Sequence, residues 1–182
     1  SPDQLVHDVG PVVAIDAIRS GIRLLMGGHA ARALDLLRSA KPLVERHGSD
    51  ADRSAWLEDE LTIATLAIGP DMVTPIAPYG VQVAEEELRR RADEGSWDRR
   101  TLCAGLLRLA RISGQTDEER AGLALLEEAV RLAPAFVESL LQPINLLRAI
   151  LHRNAAVNEW KAGNWADATA EYGTALRGYV DL

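Results

Sequence analysis

Few side chains in this sequence stand where chemistry would need them. The four histidines, His7, His29, His47 and His152, are the first candidates for proton transfer or metal binding. None follows a Glu by three residues, and none belongs to a His-Glu-x-x-His pair, the spacing that puts two imidazoles and a general base on one helix face. His29 and His47 fall in expected turns, and His7-Asp8 is a lone pair in an irregular lead-in. Cys103 is the single thiol. It has no base partner in the sequence, and the apolar helical pattern around it makes it a small buried hydrophobe. The densest acidic cluster is Asp50-x-Asp52 followed by Glu58-Asp59-Glu60. A calcium loop needs ligands at every second position and a central Gly, and Arg53 and Trp56 break that pattern, so these acids suit a helix start. There is no Gly-x-Ser-x-Gly elbow, no Gly-Lys-[Ser/Thr] phosphate loop and no Gly-x-Gly-x-x-Gly fingerprint. No catalytic residue, metal ligand or cofactor site is assigned, and the chain reads as non-enzymatic.

The remaining composition concerns architecture. Apolar residues make up 47% of the 182 residues and aromatic residues only 4%, so Leu and Ala carry the core. Both have high helix propensity. The formal net charge is −7, and no basic stripe of the kind that neutralises nucleic-acid phosphates is visible. Arg89-Arg90-Arg91 follows Glu85-Glu86-Glu87 by four residues, which predicts three Glu-to-Arg pairs on one solvated helix face. No apolar run approaches the ~20 residues that span a bilayer; Leu61 to Ile68 is far too short. Ser1-Pro2-Asp3 does not open a signal peptide, and one cysteine fits a reducing compartment. The expected location is cytoplasmic, away from membranes and nucleic acid. A start without Met marks the chain as a piece of a longer protein.

Apolar residues recur at three- and four-residue spacing from Pro11 onward. They predict helices over about 11–26, 30–46, 52–68, 79–93, 97–112, 118–132, 135–161 (interrupted at Pro143) and 165–179, with turns near Gly28, Gly48, Gly69, Gly95, Gly114 and Gly163. Pro42 is expected to kink or weaken the second helix. Ser54 or Asp50 is expected to cap the third, and Thr116 or Asp117 the sixth in a capping box. Pro75 and Pro78 belong to an insertion. The fold class is all-α: residues 1–10 are an irregular lead-in, and 11–182 form a single domain of about eight helices in four antiparallel hairpins.

Three stretches repeat one pattern. Gly163, Trp165, Ala168, Tyr172 and Ala175 share their spacing with Gly28, Ala30, Ala33, Leu37 and Ala40, and with Asp117, Glu119, Gly122, Leu126 and Ala129. Gly21, Ala110 and Ala156 stand seven residues before each stretch, and Leu132-x-Pro134 closes the middle one. Small residues at these places let helices approach to ~8–10 Å, with the bulk of Trp165, Tyr172, Leu37 and Leu126 filling the space alongside. The pattern resembles tetratricopeptide repeats, in a long-period form spaced about 45 residues rather than ~34; a HEAT-like pairing, of ~40–47 residues, is the alternative.

The resemblance implies a right-handed superhelix of stacked hairpins whose first helices line a concave groove. Aligned on it, Ile15, Ile18, Ile22, Arg111, Arg153, Val157 and Trp160 face the groove. Ile18 and Ile22 stand where some family members carry a carboxylate clamp, so that clamp is not carried over. Arg111, Arg153 and Trp160 are the candidate peptide-binding residues, because Arg and Trp are typical anchors; they favour an acidic or C-terminal peptide. The implied function is an interaction or scaffold module that binds a polypeptide segment or a domain of its own chain. Two alternatives stand: a sensor domain that binds a peptide or small ligand and switches a fused effector, or a helical accessory domain of an enzyme. Protein or peptide is the expected partner, and homo-oligomerisation is compatible with the pattern.

Overall fold

The Leu and Ala spacing becomes helix throughout the computed structural model, which describes residues 12, 16, 19–21, 23–25, 27–68, 76, 79–95, 97–180 and 182. Among these residues there is no strand. The expectations for residues 1–10, Pro11, Ile15, Ile18, Ile22, Gly69, Pro75 and Pro78 lie outside them. The chain divides into two compact units, residues 1–67 and 68–182, with the division inside the second of the four expected hairpins.

In the first unit, residues 19–21 and 23–25 are helical and precede α1 (Ala30–His47) and α2 (Asp50–Leu66). A Cβ placed on Gly21 would lie 3.6 Å from the Ala33 carbonyl oxygen, so the two helices cross where the sequence placed its small residues. α1 does not stop at Pro42 but continues to His47. Proline cannot donate to the carbonyl four residues back, and the single missing bond does not end the helix. The cap of α2 is Ser49, one residue before Asp50: Ser49 Oγ accepts from the Asp52 N–H (3.2 Å), and Asp52 accepts from the Ser49 N–H (2.8 Å). The Ser49 hydroxyl also donates to the Asp52 carboxylate (2.7 Å), and this bond first, then that from the Ser49 amide, holds the Asp52 carboxyl below the usual range. Trp56 is buried and donates through Nε1 to the Leu37 carbonyl (3.0 Å), tying α2 onto α1. Glu60, also buried, is neutralised by Arg38 Nε at 2.8 Å.

The second unit holds α3 (Val81–Glu94), α4 (Arg99–Ser113), α5 (Glu119–Leu132), the short α6 (Pro134–Glu138), α7 (Leu141–Lys161) and α8 (Trp165–Val180). Asp98 caps α4 by accepting from the Thr101 N–H (2.8 Å). The expected interruption at Pro143 falls earlier, at Ser139–Leu140. Pro143 itself sits in the first turn of α7, where a helix has no partner for the missing N–H. α4 packs on α5 and α7 on α8, and α5 also packs on α7, the next long helix along the chain. Salt bridges bind the same order: Arg89 of α3 forks onto Glu128 of α5 (2.7 and 2.9 Å), and Arg120 of α5 pairs with Glu159 of α7. Of the predicted pairs within α3, Glu85–Arg89 and Glu87–Arg91 form. Arg90 bonds Glu87 and Glu94 instead of Glu86, which takes Gln82.

The three aligned turns share one backbone geometry. Gly28, Asp117 and Gly163 all have positive φ (79°, 59° and 84°). In each, the following N–H reaches back to a carbonyl five residues earlier: His29 to Leu24, Glu118 to Ser113, Asn164 to Glu159. That is the long bond of a Schellman closure. The same residue's carbonyl then accepts from the fourth residue on, Ala33, Gly122 and Ala168. Asp117 is therefore the left-handed residue of its turn, and the expected capping box at Thr116-Asp117 does not form. Glu118 occupies the N-cap without a side-chain bond. Aspartate tolerates this backbone region at a cost that glycine does not bear. Asp117→Gly is expected to be neutral or stabilising, and Gly163→Ala to destabilise by about 1 kcal/mol. Thermal unfolding of the two variants decides whether the turns are equivalent.

Candidate binding cleft

A cleft of about 700 Å³ opens between the N-terminal end of α3, the turn leading into α5, and the C-terminal part of α7. Its walls follow from local sequence. Gly80, at φ 106°, turns the chain into α3 and leaves Tyr79 and Val83 exposed on one side. The Asp117 turn presents Glu118 and Glu119 on a second side, at the α5 N-terminus, where the helix dipole favours carboxylates. α7 contributes Ala155, Asn158 and Glu159.

The cleft is acidic. Among the described residues, Glu85, Asp117, Glu118, Glu119 and Glu159 line it with one cation, Arg120. Four of these acids are held in place, Glu85 by Arg89 at 2.7 Å. Asn158 Nδ2 donates to buried Glu119 (3.1 Å) and more weakly to Asp117 (3.4 Å). Glu159 accepts from Asn164 Nδ2 (2.7 Å) and pairs with Arg120. The Asn164 bond foremost, and the Arg120 charge with it, hold the Glu159 carboxyl below the ordinary range. Among the described residues no group of three His, Cys, Asp or Glu side chains is arranged to hold a metal ion.

The residues singled out from sequence lie elsewhere. Arg111 is half-buried in the last turn of α4. Arg153 is exposed on α7, its guanidinium on Asn154 Oδ1 at 3.1 and 3.2 Å. The Asn154 amide donates to the Gly114 carbonyl (2.9 Å), joining the end of α4 to α7, so Arg111 and Arg153 stand in adjoining turns of two bonded helices. Trp160, 55% exposed, packs edge-to-face on Trp165 at 6.0 Å. None of the three lines the cleft. Trp165 and Tyr172 do not fill the hairpin interior as their spacing suggested; they are 61% and 41% exposed, while Ala168 and Ala175 beside them are buried.

Cys103 is fully buried, its Sγ donates to the Ala129 carbonyl (3.2 Å), and burial pushes its thiol up to about 11. Such a group is neutral and shielded, as the sequence reading expected. His152 Nδ1 contacts Glu171 Oε2 at 2.6 Å and ties α7 to α8. His7 lies outside the described residues.

The cleft was not legible in the sequence because its walls come from three helices far apart along the chain. The one local signal was the run Asp117-Glu118-Glu119, which reads equally well as a helix start. No helix among the described residues is long and apolar enough to cross a membrane. No protein-family model, curated protein or solved structure matches the chain. The class therefore rests on the fold itself: an all-helical chain in which each long helix of the second unit packs on its neighbours in sequence.

Proposed function

We propose that the chain is a non-enzymatic, tetratricopeptide-like interaction module that binds a basic, extended polypeptide segment through its second unit. The single observation carrying this reading is the cleft beside Tyr79 and Val83, lined by five carboxylates of which Glu85 and Glu159 are paired, with Arg89 and Arg120. Lys and Arg ammonium and guanidinium groups would meet carboxylates already fixed by Asn158, Asn164 and Arg120, so little side-chain ordering is needed on this side. Tyr79 and Val83 would cover the apolar stems of those side chains. The three equivalent turns support the repeat reading, and the packing of α5 on both α4 and α7 supports stacking of successive hairpins. The sign of the cleft favours a basic partner over the acidic or C-terminal one suggested by Arg111 and Arg153.

Fluorescence anisotropy with labelled Lys/Arg-rich and Glu/Asp-rich peptides tests this directly. The basic peptides are expected to bind, and binding should weaken as salt rises, because the Debye length shortens from about 8 Å at physiological ionic strength as salt is added. Asp117→Lys with Glu118→Lys should reduce affinity at least tenfold while the helical circular dichroism signal is unchanged. Preferential capture of acidic peptides, lost on changing Arg153 and Trp160 to Ala, would overturn the basic-partner reading and move binding to the first-helix face.

A further inference from the structure

Two carboxylates are buried among the described residues, Glu60 at 6% exposure and Glu119 at 5%. They are not equivalent. Glu60 has the Arg38 guanidinium at 2.8 Å. The Glu119 side chain accepts only from the Asn158 side-chain amide, at 3.1 and 3.2 Å. Among the described residues, which include every Lys and Arg of the chain, no cation pairs with it. Taking a carboxylate out of water without a counter-charge is costly. The α5 N-terminus and the Asn158 amide offset part of that cost with partial charges, and a full positive charge is what the site still lacks. Glu119 also lines the cleft. Of the three buried residues that do so, the other two, Val81 and Ala155, are apolar. The cleft thus has an apolar floor that holds one carboxylate with no counter-charge.

We infer that Glu119 is the specificity carboxylate of the cleft and takes the ammonium of a lysine from the bound segment, in preference to an arginine guanidinium. The inference rests on the basic-segment reading above and narrows it to one residue type. Asn158 decides between the two cations. Its Nδ2 stands 3.2 Å from Oε1 and 3.1 Å from Oε2, so it straddles both Glu119 oxygens. An arginine binds a carboxylate best as a fork, with two parallel N–H bonds to the same two oxygens, and the amide occupies that place. An ammonium is compact, and its three donors need share no plane. It can take a remaining lone pair of Glu119 and turn another donor to Asp117, whose Oδ1 is 3.4 Å from the same amide. The methylene stem would lie on the apolar lining. Glu118, exposed at the rim, has no such bond among the described residues and supplies attraction without selectivity.

Fluorescence anisotropy with two labelled peptides, identical except that every basic residue is Lys in one and Arg in the other, tests the inference on the intact chain. The Lys peptide is expected to bind at least about tenfold more tightly, because the two cations are not interchangeable where fork geometry is blocked. Trimethylating each lysine keeps the charge and removes the N–H donors, and should abolish the advantage. Glu119→Gln conserves the shape and can still accept from Asn158. The helical signal should hold, while the Lys peptide falls to the affinity of the Arg peptide. Glu118→Gln removes the same charge at the rim and should weaken both peptides alike, so their ratio is kept. The three peptides decide the question on the unaltered chain even if Glu119→Gln lowers stability. Equal binding of the Lys and Arg peptides, tighter Arg binding, or a Lys preference that survives Glu119→Gln would overturn the inference and leave the basic-segment reading standing. Failure of both peptides to bind would overturn that reading, and the inference with it.

Discussion

Trp56→Ala is expected to cost the first unit about 3–5 kcal/mol, the usual range for emptying a buried indole site. Trp56 is 3% exposed, donates to the Leu37 carbonyl, and has the Lys41 ammonium 5.6 Å from its ring centroid. Its loss would remove apolar area, one hydrogen bond and a cation–π contact at a single point between α1 and α2. Trp56→Phe separates these contributions: it keeps most of the apolar bulk and drops the hydrogen bond, so a loss of about 1 kcal/mol is expected. Hydrogen exchange of the α1 and α2 amides reads the effect locally, which is the appropriate scale for a chain of two units. If Trp56→Ala leaves the protection of both helices where it was, Trp56 is not what fastens them.

The second large effect is expected at Leu151. This side chain is fully buried in α7, and its Cδ2 occupies the space left by two glycines: a Cβ would lie 2.9 Å from it at Gly114 and 3.0 Å at Gly122. Leu151→Ala should therefore destabilise the second unit by about 2–5 kcal/mol, the range for a Leu truncation that leaves a cavity. The test with most power is a double-mutant cycle with Gly122→Ala. Alone, Gly122→Ala drives a Cβ toward Ser113 Cβ (2.9 Å), the Ala110 carbonyl (3.0 Å) and Leu151. In the Leu151→Ala background one of these three contacts is relieved, so the two changes should be less than additive, by on the order of 0.5–2 kcal/mol. Strict additivity in urea unfolding would mean that α5 and α7 do not cross at these residues.

These sites also show what the sequence could and could not reveal. The turns at Gly28, Gly48, Gly95, Gly114 and Gly163 were legible because glycine punctuates helices locally, and the small residues at Gly21, Ala33, Gly122, Ala168 and Ala175 were legible because close approach requires them. Helix ends were less so. Ser49 and Asp98 cap helices through side chains whose role depends on backbone geometry, and Asp117 adopts a left-handed turn that its residue type merely tolerates. Pro143 shows the same limit: a proline marks a boundary but not on which side of itself the helix breaks. The cleft depends on which helices are neighbours, a property of packing that periodicity does not encode. Trp160 was picked out as an anchor and is indeed at the surface, yet its company is Trp165 rather than the arginines.

The spacing of the polar bonds has a consequence for how the second unit is made. Arg89 to Glu128, Arg120 to Glu159, Gln142 to Leu182, Gly114 to Asn154 and Asp117 to Asn158 span 39, 39, 40, 40 and 41 residues. Each is completed within one hairpin's length of chain, so loop closure is cheap at every stage. Assembly from the N-terminal side during synthesis needs no distant segment to arrive, and each new helix finds its platform already formed. A chain built this way should fold rapidly for its size, and it should come apart in the same increments when pulled from its C-terminus, starting with α8.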